Sequence, residues 1–186
     1  MTRLVLNIPN LISLARLLAV PFTVWLILHG SLLAAFWIFV LAGLSDALDG
    51  YIAKRFNLRT VIGGYLDPIA DKALLVSVFV TLGQAGHLES WLVILAVFRD
   101  ALIVLGVLLH QLLFERFTIQ PVLSSKINTT AQFILAALVL GLNGYGINAE
   151  LEITVLTYAV ALTTLWSGAS YLVIWGRRLS ALEPGE

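Results

Sequence analysis

Apolar residues run in six long blocks separated by short polar breaks. The blocks cover Leu11–Leu28, Leu32–Ala53, Gly64–Ala85, Trp91–Phe114, Ser125–Leu142 and Leu151–Trp175. Each is close to the ~20 residues a helix needs to cross the hydrocarbon core of a bilayer. The breaks are His29–Ser31, Lys54–Thr60, Gly86–Ser90, Glu115–Pro121 and Asn143–Glu150. They are rich in glycine, asparagine, proline or charge, the residues that end helices. The pattern predicts an all-α integral membrane protein with six transmembrane helices, read as a single membrane domain over residues 1–186.

Composition agrees with this reading. Of 186 residues, 60% are hydrophobic and 12% charged, whereas a soluble domain averages about 25% charged residues. The net charge of zero argues against a nucleic-acid partner, and the absence of cysteine removes any disulfide framework. Residues Met1–Ser13 carry Asn7, Pro9 and Asn10 and no cleavage-site pattern, so no removable signal peptide is expected.

The basic residues set the expected orientation. Lys54, Arg55, Arg59 and Arg116 lie in the second and fourth breaks, with Lys126 beside the latter. Arg3 is near the start of the chain, and Arg177 and Arg178 follow the last block. The first, third and fifth breaks contain no Lys or Arg. The positive-inside rule then places both termini and the even loops in the cytoplasm. Trp25, Trp91 and Trp175 fall near block ends, where an interfacial aromatic belt is expected.

Against this background four carboxylates stand out: Asp46 and Asp49 near the cytoplasmic end of the second span, and Asp67 and Asp71 near the cytoplasmic start of the third. A charge at membrane depth is costly unless something pairs with it. Spacings of three and four residues put each pair on one helix face, so two facing helices could aim all four into one cavity. Their mutual repulsion calls for cations. An all-aspartate donor set without His or Cys suits the hard ions Mg²⁺ or Mn²⁺, and two such ions suit phosphoryl chemistry. Gly50 and Gly63 leave room beside the carboxylates, and Lys54, one turn beyond Gly50, is placed to contact a phosphate. The plainer reading makes these aspartates helix caps or partners of Lys54, Lys72 and Arg99; four at this spacing weigh against it. The spacing of an EF-hand loop is absent.

The pattern Asp46-x2-Asp49-Gly50-x2-Ala53-Lys54-x8-Gly63-x3-Asp67-x3-Asp71 resembles the signature of the CDP-alcohol phosphotransferase family. That family carries Arg where this chain has Lys54, a change that keeps the charge and loses bidentate phosphate contact. Asn7-Ile8-Pro9-Asn10, with Ser13 and Arg16, is similar to the entry segment of the phosphatidylglycerophosphate and cardiolipin synthase branches. The resemblance implies transfer of a phosphatidyl group from CDP-diacylglycerol to an alcohol, with CMP leaving. It further implies metal ligation by Asp46, Asp49, Asp67 and Asp71, with Asp71 also the general base. Asp46, Gly50, Ala53, Lys54 and Gly63 would bound the CDP pocket. A homodimer in a bacterial inner membrane, with its active site facing the cytoplasm, is the corresponding expectation.

The acceptor is read from the second half. Arg99-Asp100 lies within the fourth span, and Ser125-Lys126-x-Asn128-Thr129-x-x-Gln132 opens the fifth. Both resemble CMP-forming cardiolipin synthases, whose acceptor is phosphatidylglycerol. Phosphatidylglycerophosphate synthases more often show Arg-Glu and a second Lys where this chain has Asn128. A dianionic glycerol 3-phosphate favours more positive charge, so phosphatidylglycerol is the preferred acceptor and glycerol 3-phosphate the alternative. Arg99, Lys126, Arg116 and Asn128 are the candidate acceptor-binding residues. The plainer readings are a pair of Arg99 with Asp100 or with a cluster aspartate and, for Lys126 and Arg116, orientation markers.

An ion-coupled transporter is the rival from another class, since intramembrane aspartates also mark ion paths. It would spread carboxylates through the membrane depth and show an inverted repeat; neither pattern is present. His29, His87 and His110 do not converge on the aspartates and read as interfacial or packing residues. Gly141 and Gly144 are too closely spaced for a Gly-x-x-x-Gly motif, while Gly168, Ala169 and Ser170 allow close helix packing.

Overall fold

A computed structural model gives the backbone of residues 8–55, 61–113 and 123–180, and the side chains of 10–46, 69–106 and 123–176. Among the described residues there are six helices, one per apolar block: α1 (Ile8–Leu28), α2 (Leu32–Arg55), α3 (Val61–Gln84), α4 (Ser90–Leu113), α5 (Leu123–Gly144) and α6 (Glu150–Ser180). The described residues are helices joined by short turns, as the hydrophobic pattern predicts. α1 begins three residues ahead of the apolar block because Pro9 is tolerated in a first turn, where its missing N–H would have no helical partner. α6 runs to Ser180, past the apolar block, and at 31 residues exceeds what a bilayer core needs.

Three stretches within these helices, Asn10–Leu28, Leu123–Gly144 and Glu150–Gly176, are long and apolar enough to cross a membrane. α2 and α3 are 24 residues each but carry the charged signature, and α4 carries Arg99 and Asp100. The surface has the character of a lipid-facing one. Leu18, Leu41, Ile94, Leu151 and Leu162 are each more than half exposed, whereas Arg16, Arg99 and Asp100 are buried. A soluble protein exposing such apolar faces would associate; a bilayer covers them.

Three breaks end their helices alike. Gly30, Gly86 and Gly146 have positive φ (74°, 77° and 68°). At each, the glycine N–H returns to the carbonyl three residues back and the next N–H to the carbonyl five back: Ser31 to Leu26 (2.9 Å), His87 to Leu82 (2.9 Å) and Ile147 to Leu142 (2.8 Å). This is the Schellman stop, which satisfies carbonyls that a helix end otherwise leaves open.

The chain divides into two compact units. The first comprises residues 1–88 and 136–149. Here α1 packs against both α2 and α3. Along α3, Ala70, Leu74, Val78 and Leu82 form a buried stripe at four-residue intervals, the spacing that keeps one helical face inward. The end of α5 meets the start of α2 closely. A Cβ on Gly144 would lie 2.7 Å from the Leu33 backbone nitrogen, and one on Gly141 3.1 Å from the Phe36 ring. The two glycines thus make a close helix contact despite a spacing outside the Gly-x-x-x-Gly motif. In lipid, where apolar burial gives little drive, such small-residue contacts carry much of the packing.

The second unit comprises residues 89–135 and 150–186, with α4 packed on α6. Leu92, Ala96, Val160 and Ala161 are buried in it. The Trp175 ring occupies the place beside Gly106 where a side chain would stand, 0.9 Å from an added Cβ. Trp175 is therefore a packing residue within this unit. Trp25 and Trp91, by contrast, are 51% and 42% exposed, as a belt residue would be.

One substitution should act with opposite sign at two glycines. Gly144→Ala should destabilise by about 1–3 kcal/mol, because the neighbouring atoms are backbone and cannot yield. Gly176→Ala meets nothing within 4 Å and should stabilise by up to about 1 kcal/mol through helix propensity. Thermal unfolding of the detergent-solubilised variants measures both.

Candidate metal and phosphoryl-transfer site

The site is built in the first unit, from three helices. α1 presents Asn10, Ser13 and Arg16, all buried and three residues apart, so they share one face. The Arg16 side chain is 1% exposed. Its Nη1 donates to Asp46 Oδ1 on α2 at 2.7 Å and to Asp71 Oδ1 on α3. One nitrogen therefore holds carboxylates from two different helices. Asp46 and Asp71 are 36% and 43% exposed on their side chains: the cation sits inside and the carboxylates open outward.

The electrostatic logic is direct. Two carboxylates on one nitrogen are close enough to repel by about 4 kcal/mol at a separation near 4 Å and an effective dielectric constant of 20. A buried guanidinium is equally untenable alone. Each charge makes the others tolerable, and together they tie α1, α2 and α3 at one point.

Asp46 and Asp71 are the first and last aspartates of the sequence motif, and the fold brings them together. Asp49, Gly50, Ala53 and Lys54 lie on α2, and Gly63 and Asp67 on α3; their side chains fall outside the described residues. So does Arg116 altogether. Among the described residues the site offers oxygen donors alone, two adjacent carboxylates partly open to the surroundings. Such a set fits a hard divalent cation.

Arg16 is the functional residue that motif spacing does not connect to the aspartates. It is 30 residues from Asp46 and 55 from Asp71. Its signal in the sequence is its position, a single arginine inside an apolar span, which demands an anionic partner.

The acceptor candidates lie in the second unit. Near the middle of α4, Arg99 is 3% exposed. It donates through Nη1 to Asp100 Oδ1 at 2.7 Å and through Nη2 to Ser167 Oγ on α6. The plainer reading of Arg99, a pair with Asp100, is thus realised. Gly168 faces it across ordinary contact distance: a Cβ there would lie 3.8 Å from Arg99 Cγ. Asn128 is fully buried. Its Oδ1 lies 3.0 and 2.8 Å from the hydroxyls of Thr163 and Thr164, which also reach the Val160 carbonyl at 2.9 and 2.7 Å. A hydroxyl has one proton and serves one acceptor at a time, so the two contacts to Asn128, which tie α5 to α6, share their protons with the two inside α6. Lys126 is exposed. Of the histidines, His29 stacks on Trp25 at 4.4 Å between ring centroids and contacts the Trp25 carbonyl through Nδ1 at 2.8 Å, a packing role.

Helices with lipid-facing surfaces and an acidic centre held by arginine define, among the described residues, a membrane-embedded protein. Residues 6–166 match the CDP-alcohol phosphatidyltransferase family, and the chain belongs to it. It is 34% identical over 184 residues to the chloroplastic CDP-diacylglycerol–glycerol-3-phosphate 3-phosphatidyltransferase 1 of Oryza sativa subsp. japonica, covering 89% of this chain and 56% of that protein. Similarity to the CMP-forming cardiolipin synthase of Homo sapiens is 31% over 181 residues, covering 89% and 60%. With the CDP-diacylglycerol–glycerol-3-phosphate 3-phosphatidyltransferase of Escherichia coli (strain K12) it shares 34% over 173 residues, covering 89% and 93%. The chain thus spans little more than half the length of the rice and human relatives and nearly all of the bacterial one.

The Arg99–Asp100 pair is testable by a double-mutant cycle. Arg99→Leu should cost about 3–5 kcal/mol by leaving Asp100 without this counter-ion. Adding Asp100→Asn should recover most of that loss, a non-additivity read from thermal unfolding of the two single variants and the double variant.

Proposed function

We propose that this protein is a CDP-diacylglycerol-dependent phosphatidyltransferase, and that residues 1–186 act as one membrane domain. The observation that carries the reading is the meeting of Asp46 and Asp71, the two ends of the signature, on one guanidinium. The acceptor hydroxyl oxygen attacks the lipid-side phosphorus of CDP-diacylglycerol. The bond from that phosphorus to the CMP oxygen breaks, and CMP leaves. Asp71 takes the acceptor's proton, which makes a weakly nucleophilic alcohol competent. Asp46, Asp49, Asp67 and Asp71 are the residues that would hold two divalent ions, Mg²⁺ or Mn²⁺. Bound there, the ions would neutralise the pyrophosphate oxygens. Asp46, Gly50, Ala53, Lys54 and Gly63 bound the CDP pocket. The site faces the cytoplasm of a bacterial inner membrane, where nucleotide is reachable from water, and the protein acts as a homodimer.

Phosphatidylglycerol is the preferred acceptor, giving cardiolipin, with Arg99, Lys126, Arg116 and Asn128 selecting it. The Arg99 charge is offset by Asp100 at 2.7 Å, which supports an acceptor of lower charge than glycerol 3-phosphate. Two buried amide donors, Asn128 Nδ2 and Gln132 Nε2, have no hydrogen-bond partner among the described residues. They lie one helical turn apart and are suited to the hydroxyl oxygens of a glycerol headgroup. Glycerol 3-phosphate remains the second reading, favoured by the names of the rice and bacterial relatives.

Asp71→Asn should lower turnover by about 10²–10⁴ while CDP binding persists, because the amide oxygen still accepts from Arg16. Full activity in this variant would remove Asp71 as the base. With purified protein offered both acceptors, cardiolipin should form faster than phosphatidylglycerophosphate; the reverse order establishes the second reading.

A further inference from the structure

We infer that Arg16 is the standing cation of the aspartate site and that it competes with divalent metal for Asp46 and Asp71. The inference rests on the proposal that these two carboxylates are metal ligands, and it adds a control on their occupancy. Three observations carry it.

The first is identity of atoms. Arg16 Nη1 engages Oδ1 of both aspartates, so a single positive centre already occupies two carboxylates that would also hold a metal. The second is the direction of approach. Arg16 is 1% exposed while the carboxylates are 36% and 43% exposed. The guanidinium reaches them from the protein side, and a cation arriving from outside meets their open faces without passing it. The third is chemical. A guanidinium cannot shed its proton in a protein. Its charge therefore stays when a metal arrives, and repulsion is relieved only if the arginine gives up the oxygens.

The arrangement follows from the conflict inside the motif. Carboxylates gathered on neighbouring helices repel whenever metal is absent and would drive the helices apart or take up protons. A permanent cation on α1 offsets that repulsion and keeps them assembled. The same cation lowers metal affinity, because every binding event must displace it. Arg16 is thus a positioning residue with a measurable signature: its removal should strengthen metal binding while weakening the metal-free protein. A residue that merely stabilises the fold would do only the second.

The test uses full-length protein in nanodiscs, unaltered and as Arg16→Gln and Arg16→Lys. Free Mn²⁺ is counted by electron paramagnetic resonance, and thermal unfolding is followed with and without Mn²⁺. Arg16→Gln should bind Mn²⁺ at least about tenfold more tightly, since a like charge has been removed from the site. It should unfold at lower temperature without metal and regain most of the loss with Mn²⁺. Arg16→Lys, a point charge without the planar fork, should fall between. If Arg16→Gln folds only when Mn²⁺ is supplied, the inference stands, because metal replaces the missing charge. Weaker or unchanged Mn²⁺ affinity overturns it, as does a variant that Mn²⁺ cannot rescue. If the unaltered protein binds no Mn²⁺, the metal reading itself fails and this inference with it; Mn²⁺ binding that is insensitive to Arg16 removes the inference alone.

Discussion

A guanidinium withdrawn almost wholly from solvent, inside a helix of apolar residues, persists only where carboxylates meet it. Arg16 meets two, from helices that are otherwise distant in the chain. This contact fixes how α1 sits against α2 and α3, and therefore which side of each helix turns inward. The apolar stripe of α3 and the polar stripe of α1 are consequences of that choice as much as causes of it. Loss of Arg16 would remove this cation from both carboxylates at once, so it is far less replaceable than any leucine in the same unit.

The rest of the chain obeys the logic of packing in lipid. With little gained by hiding apolar side chains from other apolar material, close approach and internal polar contacts must hold helices together. The first unit uses Gly141 and Gly144 against the start of α2. The second unit uses Gly106 beneath Trp175, Arg99 with Asp100 and Ser167, and Asn128 with Thr163 and Thr164. Schellman stops at Gly30, Gly86 and Gly146 end α1, α3 and α5 abruptly and allow short turns there.

Much of this was legible in the chain. Helix number and most helix limits follow from hydropathy, since a bilayer imposes a nearly fixed length on every span. Limits shifted where hydropathy and hydrogen bonding part company. Gly176-Arg177-Arg178 ends an apolar run but gives the α6 backbone no reason to stop, and α3 begins at Val61, three residues ahead of the apolar block that opens at Gly64. The aspartate motif was legible because its spacing is local, three and four residues within a helix. The role of Arg16 was not, because it depends on a contact across 55 positions that no helical period encodes. The same holds for Gly144 against Leu33 and Asn128 against Thr164, where long-range packing decides what a small or polar residue does.

Acidic side chains gathered in a lipid-facing protein acquire their meaning from the cations that neutralise them: arginine in the structure described and, in the proposed reaction, divalent metal. The most direct measurement is CMP release from CDP-diacylglycerol by the purified protein, with Mn²⁺ and with a chelator in excess. CMP should appear only with the metal, mole for mole with the new phospholipid. CMP formation indifferent to chelation, or phospholipid formed without CMP, would contradict the assignment of the aspartate centre.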